Sequence, residues 1–133
     1  MKKTFGQLQK IDNLVASLYA KDKTLEKSKF GYAYKRFVDK NYMPTLDELQ
    51  ERLVDIRISN ALEDKNTGEV LTDRGNNRGF KYSRDGLKKC IKEERKAIKE
   101  FDEKEIEITP FISSYKPIGL TEEEKSILRG LLI

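Results

Sequence analysis

Leu8, Ile11, Leu14, Val15, Leu18 and Tyr19 recur at three- and four-residue intervals, the spacing that lines up apolar side chains on one face of an α-helix. Thr4 and Gln7 precede this stripe as a capping box, in which the hydroxyl and the amide each satisfy a free backbone N–H, so a helix is predicted over about residues 5–21. After the polar connection Asp22-Lys23-Thr24, the positions Phe30, Ala33, Tyr34, Phe37 and Val38 keep the same period to about Lys40. Two helices joined so briefly are expected to pack as an antiparallel hairpin. Met43-Pro44 is expected to end it, because a proline pushes the residue before it out of the helical region. Thr45 and Glu48 then offer a second capping box ahead of Leu46, Leu49, Leu53 and Ile56, for a third helix reaching about Asn60.

The period changes after Ala61. Leu62-Glu63-Asp64 and Glu69-Val70-Leu71 flank the turn formers Lys65-Asn66-Thr67-Gly68, which reads as a small β-hairpin, with Phe80-Lys81-Tyr82 as a possible third short strand. Between them Arg74-Gly75-Asn76-Asn77-Arg78-Gly79 is too rich in Gly and Asn to hold regular structure without a partner and is the expected mobile loop. Ser83 can cap a long charged helix over about residues 84–103, with Leu87, Cys90, Ile91, Ala97, Ile98 and Phe101 on its apolar stripe. Glu105-Ile106-Glu107-Ile108-Thr109 alternates strictly, as a half-buried strand does, and Pro110 confines its end to an edge; it is expected to join the hairpin in one sheet. Thr121 and Glu124 form a third capping box before a short helix carrying Ile127, Leu128 and Leu131 and stopped by Gly130. The expected class is mainly helical α+β in a single domain over residues 1–133: an N-terminal helical hairpin, two further helices, a small antiparallel sheet and a short C-terminal helix.

Charge complicates this picture more than length does. Charged residues make up 38% of the 133 positions and Trp is absent, which favours a modest core over a large buried enzyme interior. The net charge of +4 is a patchwork: +6 over residues 1–44, −3 over 45–63, +3 over 64–90 and −2 over the rest. Such mixing reads as protein-facing surface rather than as a nucleic-acid track. The chain has no histidine and one cysteine, so His-dependent nucleophile triads, His-bearing zinc sites and an internal disulfide are excluded. Gln7, Gln9, Lys10, Asp12 and Asn13 interrupt any signal-peptide core, and no apolar run approaches a bilayer span, so a soluble protein of the reducing cytoplasm is expected.

Each motif that might carry chemistry has a plainer reading beside it. Asp64-x-Asn66-x-Gly68 resembles a calcium loop, but its glycine falls one place early and Gly75 stands where the bidentate glutamate belongs, so a plain turn is favoured. Arg74, Arg78, Lys81 and Arg84 with Phe80 and Tyr82 form a candidate basic aromatic patch for phosphate or single-stranded nucleic acid, against an ordinary solvated loop whose aromatics reach the core. Glu93, Glu94, Glu100, Asp102 and Glu103 alternate with lysines and read as the soluble face of a helix, without the desolvation that a catalytic carboxyl needs. Cys90 lies on the apolar stripe and reads as a small buried hydrophobe. No catalytic residue, cofactor or metal is therefore expected. At the C-terminus Ile127, Leu128, Leu131, Leu132 and Ile133 put five large apolar side chains within seven residues, either folded back on the chain's own core or docked on a neighbouring subunit or larger protein.

The order of features resembles a family of small bacteriophage proteins with an N-terminal helical pair, an acidic Asp-x-x-x-Gly turn, a polar aromatic segment, one charged helix, an alternating Glu/Ile strand and a final helix opening with Thr-Glu-Glu. The matching stretches are Leu8 to Phe37, Asp64 to Gly68, Phe80 to Tyr82, Leu87 to Phe101, Glu105 to Thr109 and Leu120 to Leu132; the basic insert Arg74 to Arg78 departs from the pattern. The resemblance implies phage origin and a virion or assembly context in the host cytoplasm or the particle. It carries no catalytic residues across. The expected function is a non-enzymatic interaction component, an accessory structural or assembly protein that meets a larger phage protein or its own copies; the alternative is nucleic-acid binding through residues 74–84.

Overall fold

The computed structural model describes residues 1–110, 117, 119–128 and 131. Its elements are β1 (Lys2–Thr4), α1 (Phe5–Lys21), α2 (Lys29–Phe37), α3 (Met43–Asn60), α4 (Arg84–Asp102), β2 (Glu105–Glu107) and α5 (Glu122–Leu128), which makes the chain a mainly helical α+β protein. It divides into two compact units, residues 1–46 with 102–133, and residues 47–101.

In the first unit α1 starts where its cap dictates. The Gln7 amide N–H donates to Thr4 Oγ1 and the Thr4 N–H to Gln7 Oε1, the reciprocal pair of a capping box. Phe5, Leu8, Ile11, Leu14, Val15 and Leu18 are buried along one face of the helix. A 3₁₀ turn over Leu25–Lys27 leads to Ser28, whose hydroxyl caps α2 by accepting from the Gly31 N–H. Gly31 is where the start of α2 crosses this turn, and a Cβ there would fall inside the Glu26 carbonyl, which cannot yield because it is backbone. Gly31→Ala is therefore expected to cost the upper end of the about 1–3 kcal/mol typical of overpacking, read as a lower urea midpoint at unchanged m-value. Tyr34 on α2 donates its hydroxyl to Asp12 on α1 at 2.8 Å; burial first, then this bond, drives that hydroxyl far above the ordinary tyrosine range.

The expected break at Met43-Pro44 does not occur. A π-helical turn over Val38–Tyr42 carries the backbone from α2 straight into α3, with Met43 helical at φ −58° and ψ −40° and its N–H bonded five residues back to the Val38 carbonyl. Proline lacks an amide donor and crowds the carbonyl four residues before it; the wider turn accommodates both faults without ending the helix. Thr45 consequently lies inside the first turn of α3, buried, rather than at its cap. The π turn also delivers Tyr42 against Phe5, their rings parallel at 5.2 Å, and buries Asn41, which donates to the Phe37 carbonyl and accepts from the Thr109 N–H.

The sheet corrects a second expectation. The alternating segment does form a strand, β2, but it pairs with β1 and not with residues 62–72: Lys2 faces Glu107, Lys3 faces Ile106 and Thr4 faces Glu105, antiparallel. Lysine opposite glutamate is a favourable cross-strand pair, and the Phe5 N–H continues the ladder to the Lys104 carbonyl. The third capping box is present, with Glu124 N–H on Thr121 Oγ1 and Thr121 N–H on Glu124 Oε1, and α5 packs on α1. Gly130, the expected stop, lies outside the described residues.

In the second unit the expected hairpin and third strand shrink to two isolated bridges, Glu63 with Val70 and Thr72 with Phe80. Their arms are too short and polar for a ladder, yet three backbone bonds close a ring across them: Leu62 N–H to the Lys81 carbonyl, Leu71 N–H to that of Leu62, and Lys81 N–H to that of Leu71. Asp64 folds the tip by accepting from the Asn66 and Thr67 amides, and these two bonds hold its carboxyl below the usual range. Gly68, at φ +74°, supplies the left-handed step that other residues resist. Leu49, Ile56, Cys90 and Ala97 form the buried side, with Tyr82 packed against Ile56, Cys90 and Ala97.

Candidate functional site

Ser83 caps α4 through the Gly86 N–H, and from that start the helical period carries Cys90, Glu94 and Ala97 to one inward line. Glu94 is only 6% exposed. Arg57, on α3, donates through Nε to Glu94 Oε2 at 2.8 Å. Arg78 reaches the other oxygen, Oε1, with Nε at 3.0 Å and Nη2 at 2.9 Å.

Arg78 arrives there because its loop is organised by its own polar groups. Asp73 accepts from the Gly75 N–H; Asn76 accepts from the Arg78 N–H and donates its amide to the Phe80 carbonyl; Gly79, at φ +81°, turns the chain back. The Gly- and Asn-rich segment expected to be mobile is thus a closed loop that presents Arg78 to α4.

Burial by itself raises the Glu94 carboxyl, and the hydrogen bonds and charges of Arg78 and Arg57 more than reverse it, leaving the group below the usual carboxylate range. Other acid–base pairs of this unit, Arg52 on α3 with Glu100 on α4 at 4.0 Å and Lys89 with Glu93 on α4 at 3.8 Å, are exposed and contribute little by comparison. Burial also raises Cys90, with Glu94 adding to the effect, and the thiol is fully enclosed. Labelling by a water-soluble thiol reagent is therefore expected only as fast as the second unit opens, orders of magnitude below a free cysteine in the same buffer; rapid native labelling would contradict this placement.

Beside Glu94 lies an open groove of about 350 Å³ with Leu53, Ile91 and Ile98 as apolar walls and Arg57, Arg78 and Arg95 as its cations. A second exposed feature runs along α3. Val54 and Ile58, one turn apart on α3, are 44% and 42% exposed, with Asp47, Glu51 and Asp55 exposed on the same side of the helix, and Leu62, two residues beyond the helix end, is 41% exposed.

The six residues of the predicted basic aromatic patch separate. Arg78 turns inward to Glu94, and Tyr82 packs on the core with its hydroxyl raised to about 12, by burial first and then by Cys90 and Glu94 nearby. Phe80 is half-buried, while Arg74, Lys81 and Arg84 are exposed. Of the C-terminal apolar residues, Leu128 and Leu131 are 3% and 0% exposed within the first unit and Ile127 is half-buried; Leu132 and Ile133 lie outside the described residues. The described residues hold no group of three or more Cys, Asp or Glu side chains placed to share a metal ion, and no described helix is long and apolar enough to cross a membrane.

Glu94 reads as part of a soluble face by its charge, and Arg57 belongs to no motif. Glu94 falls four residues after Cys90 and three before Ala97, and Arg57 four after Leu53, so the spacing of the apolar stripes already marked them as inward positions. No protein-family model, curated protein or solved structure matches the chain.

Proposed function

We propose that this chain is a non-enzymatic protein-interaction component, of the accessory structural or assembly kind that serves a bacteriophage particle. The observation that carries the interaction reading is the pair Val54 and Ile58, one turn apart on the exposed face of α3, with Leu62 two residues beyond the end of that helix, each about two-fifths exposed. Scattered exposed leucines are ordinary on protein surfaces, but aliphatic side chains at helical spacing are the arrangement by which a helix is gripped by a partner. Asp47, Glu51 and Asp55 give the pair an acidic border, so the complementary surface is an apolar anchor flanked by lysine or arginine. The burial of Leu128 and Leu131 within the first unit supports α3, rather than the C-terminal helix, as the docking face. The particle context rests on the order of sequence elements.

Mass spectrometry of purified particles tests this reading, with stoichiometric presence expected and absence overturning the structural role. The double variant Val54→Asp, Ile58→Asp is expected to leave the melting temperature of the isolated chain unchanged while removing it from the particle, since both side chains are exposed. Within residues 74–84 the nucleic-acid alternative retains Arg74, Lys81 and Arg84 as exposed cations, beside the exposed lysines of the basic residues 1–44. It would be favoured by gel-shift binding that weakens steeply with salt and is lost when those three become alanine.

A further inference from the structure

The groove beside Glu94 holds more positive charge and more donors than its own ion pairs consume. Each guanidinium carries five N–H donors, and one carboxylate offers about four acceptor sites to two of them. Arg95 is exposed, lines the same groove and has no part in the Glu94 pairs. Three arginines against one glutamate leave a formal charge of +2 around an opening of about 350 Å³.

Two of the three cations are also held in place before any ligand arrives. Glu94 fixes Arg57 and Arg78 through separate oxygens, so the ordering entropy of two long side chains is already spent in folding. Leu53, Ile91 and Ile98 wall the same opening and offer an apolar stem a surface to lie against.

We propose that this groove binds a small phosphomonoester whose dianionic head meets Arg57, Arg78 and Arg95 and whose apolar stem lies against Leu53, Ile91 and Ile98. A monoester carries about −1.5 to −2 at neutral pH, which matches the +2 of the groove, whereas a carboxylate or a phosphodiester brings a single charge. Glu94 is a positioning residue here, since it holds the arginines and repels the ligand itself. This inference stands apart from the α3 pair and requires no protein partner.

Isothermal titration of the full chain at low salt, with n-butyl phosphate as the probe and inorganic phosphate, butyrate and dimethyl phosphate as comparisons, tests it. One saturable site for butyl phosphate is expected, with about tenfold weaker binding of the two monoanions, the equivalent of one lost charge-assisted contact. Inorganic phosphate is expected to bind more weakly than butyl phosphate, and Ile98→Ala to narrow that difference. Arg78→Ala would strand the buried Glu94, so Arg95→Gln is the diagnostic variant: about tenfold weaker butyl phosphate binding at an unchanged melting temperature. No saturable heat up to about 10 mM ligand, butyrate or dimethyl phosphate binding as tightly as butyl phosphate, or Arg95→Gln binding like the wild type would overturn the proposal.

Discussion

Glu94→Ala is expected to destabilise the second unit by about 3 kcal/mol, the lower end of the 3–5 kcal/mol seen when one member of a buried ion cluster is removed. The lower end applies because the Arg57 and Arg78 side chains keep 28% and 30% of their surface in water, whereas the Glu94 side chain keeps 8%. Without the carboxylate the two guanidinium groups repel one another while their apolar stems remain tied to the groove. Hydrogen exchange of the α4 amides is the direct readout, since it reports the opening of this unit by itself. Glu94→Gln keeps the shape and loses the charge, so its cost falls between wild type and Glu94→Ala.

The same cluster sets a pH limit. The folded Glu94 carboxyl lies below its ordinary value of 4.5, so unfolding takes up a proton in acid. Its stabilisation is complete above that value and is lost as pH falls through the lower folded value. The acid limb of the second unit's stability profile is expected to flatten in Glu94→Gln, and an unchanged limb would place the acid sensitivity elsewhere.

Phe30→Ala is expected to cost the first unit about 3–5 kcal/mol, the range for truncating a buried aromatic side chain. Phe30 is 0% exposed and stacks on Tyr34 with ring centroids 6.2 Å apart, at the point where Gly31 lets α2 cross the preceding turn. Neighbouring backbone held that tightly cannot collapse into the cavity, which keeps the cost high. Tyr32, two residues along the same helix and 62% exposed, is the control: Tyr32→Ala is expected to change stability by less than about 0.5 kcal/mol. A similar loss at both positions, by urea titration, would contradict the assigned faces of α2.

What could be read from the sequence was local. The Thr4–Gln7 and Thr121–Glu124 boxes cap helices as their three-residue spacing predicts, because every atom involved lies within one turn. Thr45 and Glu48 carry the same signature but sit inside α3, since a π turn two residues upstream absorbs Pro44, and no residue pattern announces such a turn. β1 escaped notice for another reason: Lys2-Lys3-Thr4 shows no alternation, and its strand character comes from a partner about a hundred residues away. Glu94 and Arg57 were legible by spacing and hidden by their charge, while Arg78 depended on a loop whose hydrogen bonds close only in three dimensions. The α3 pair was hidden by its company, because Leu49 and Ile56 define the buried face of that helix and Val54 and Ile58 fall outside it.

Site-specific photo-crosslinking from α3 tests the central claim of an interaction surface most directly. A photoreactive residue placed at Ile58 and irradiated in assembled particles is expected to give one discrete heavier species joining this chain to a particle protein. The same residue at Lys65, exposed on the Asp64 turn, is expected to give little of it. Equal, diffuse or absent crosslinking at the two positions would contradict the assignment of α3 as the docking face.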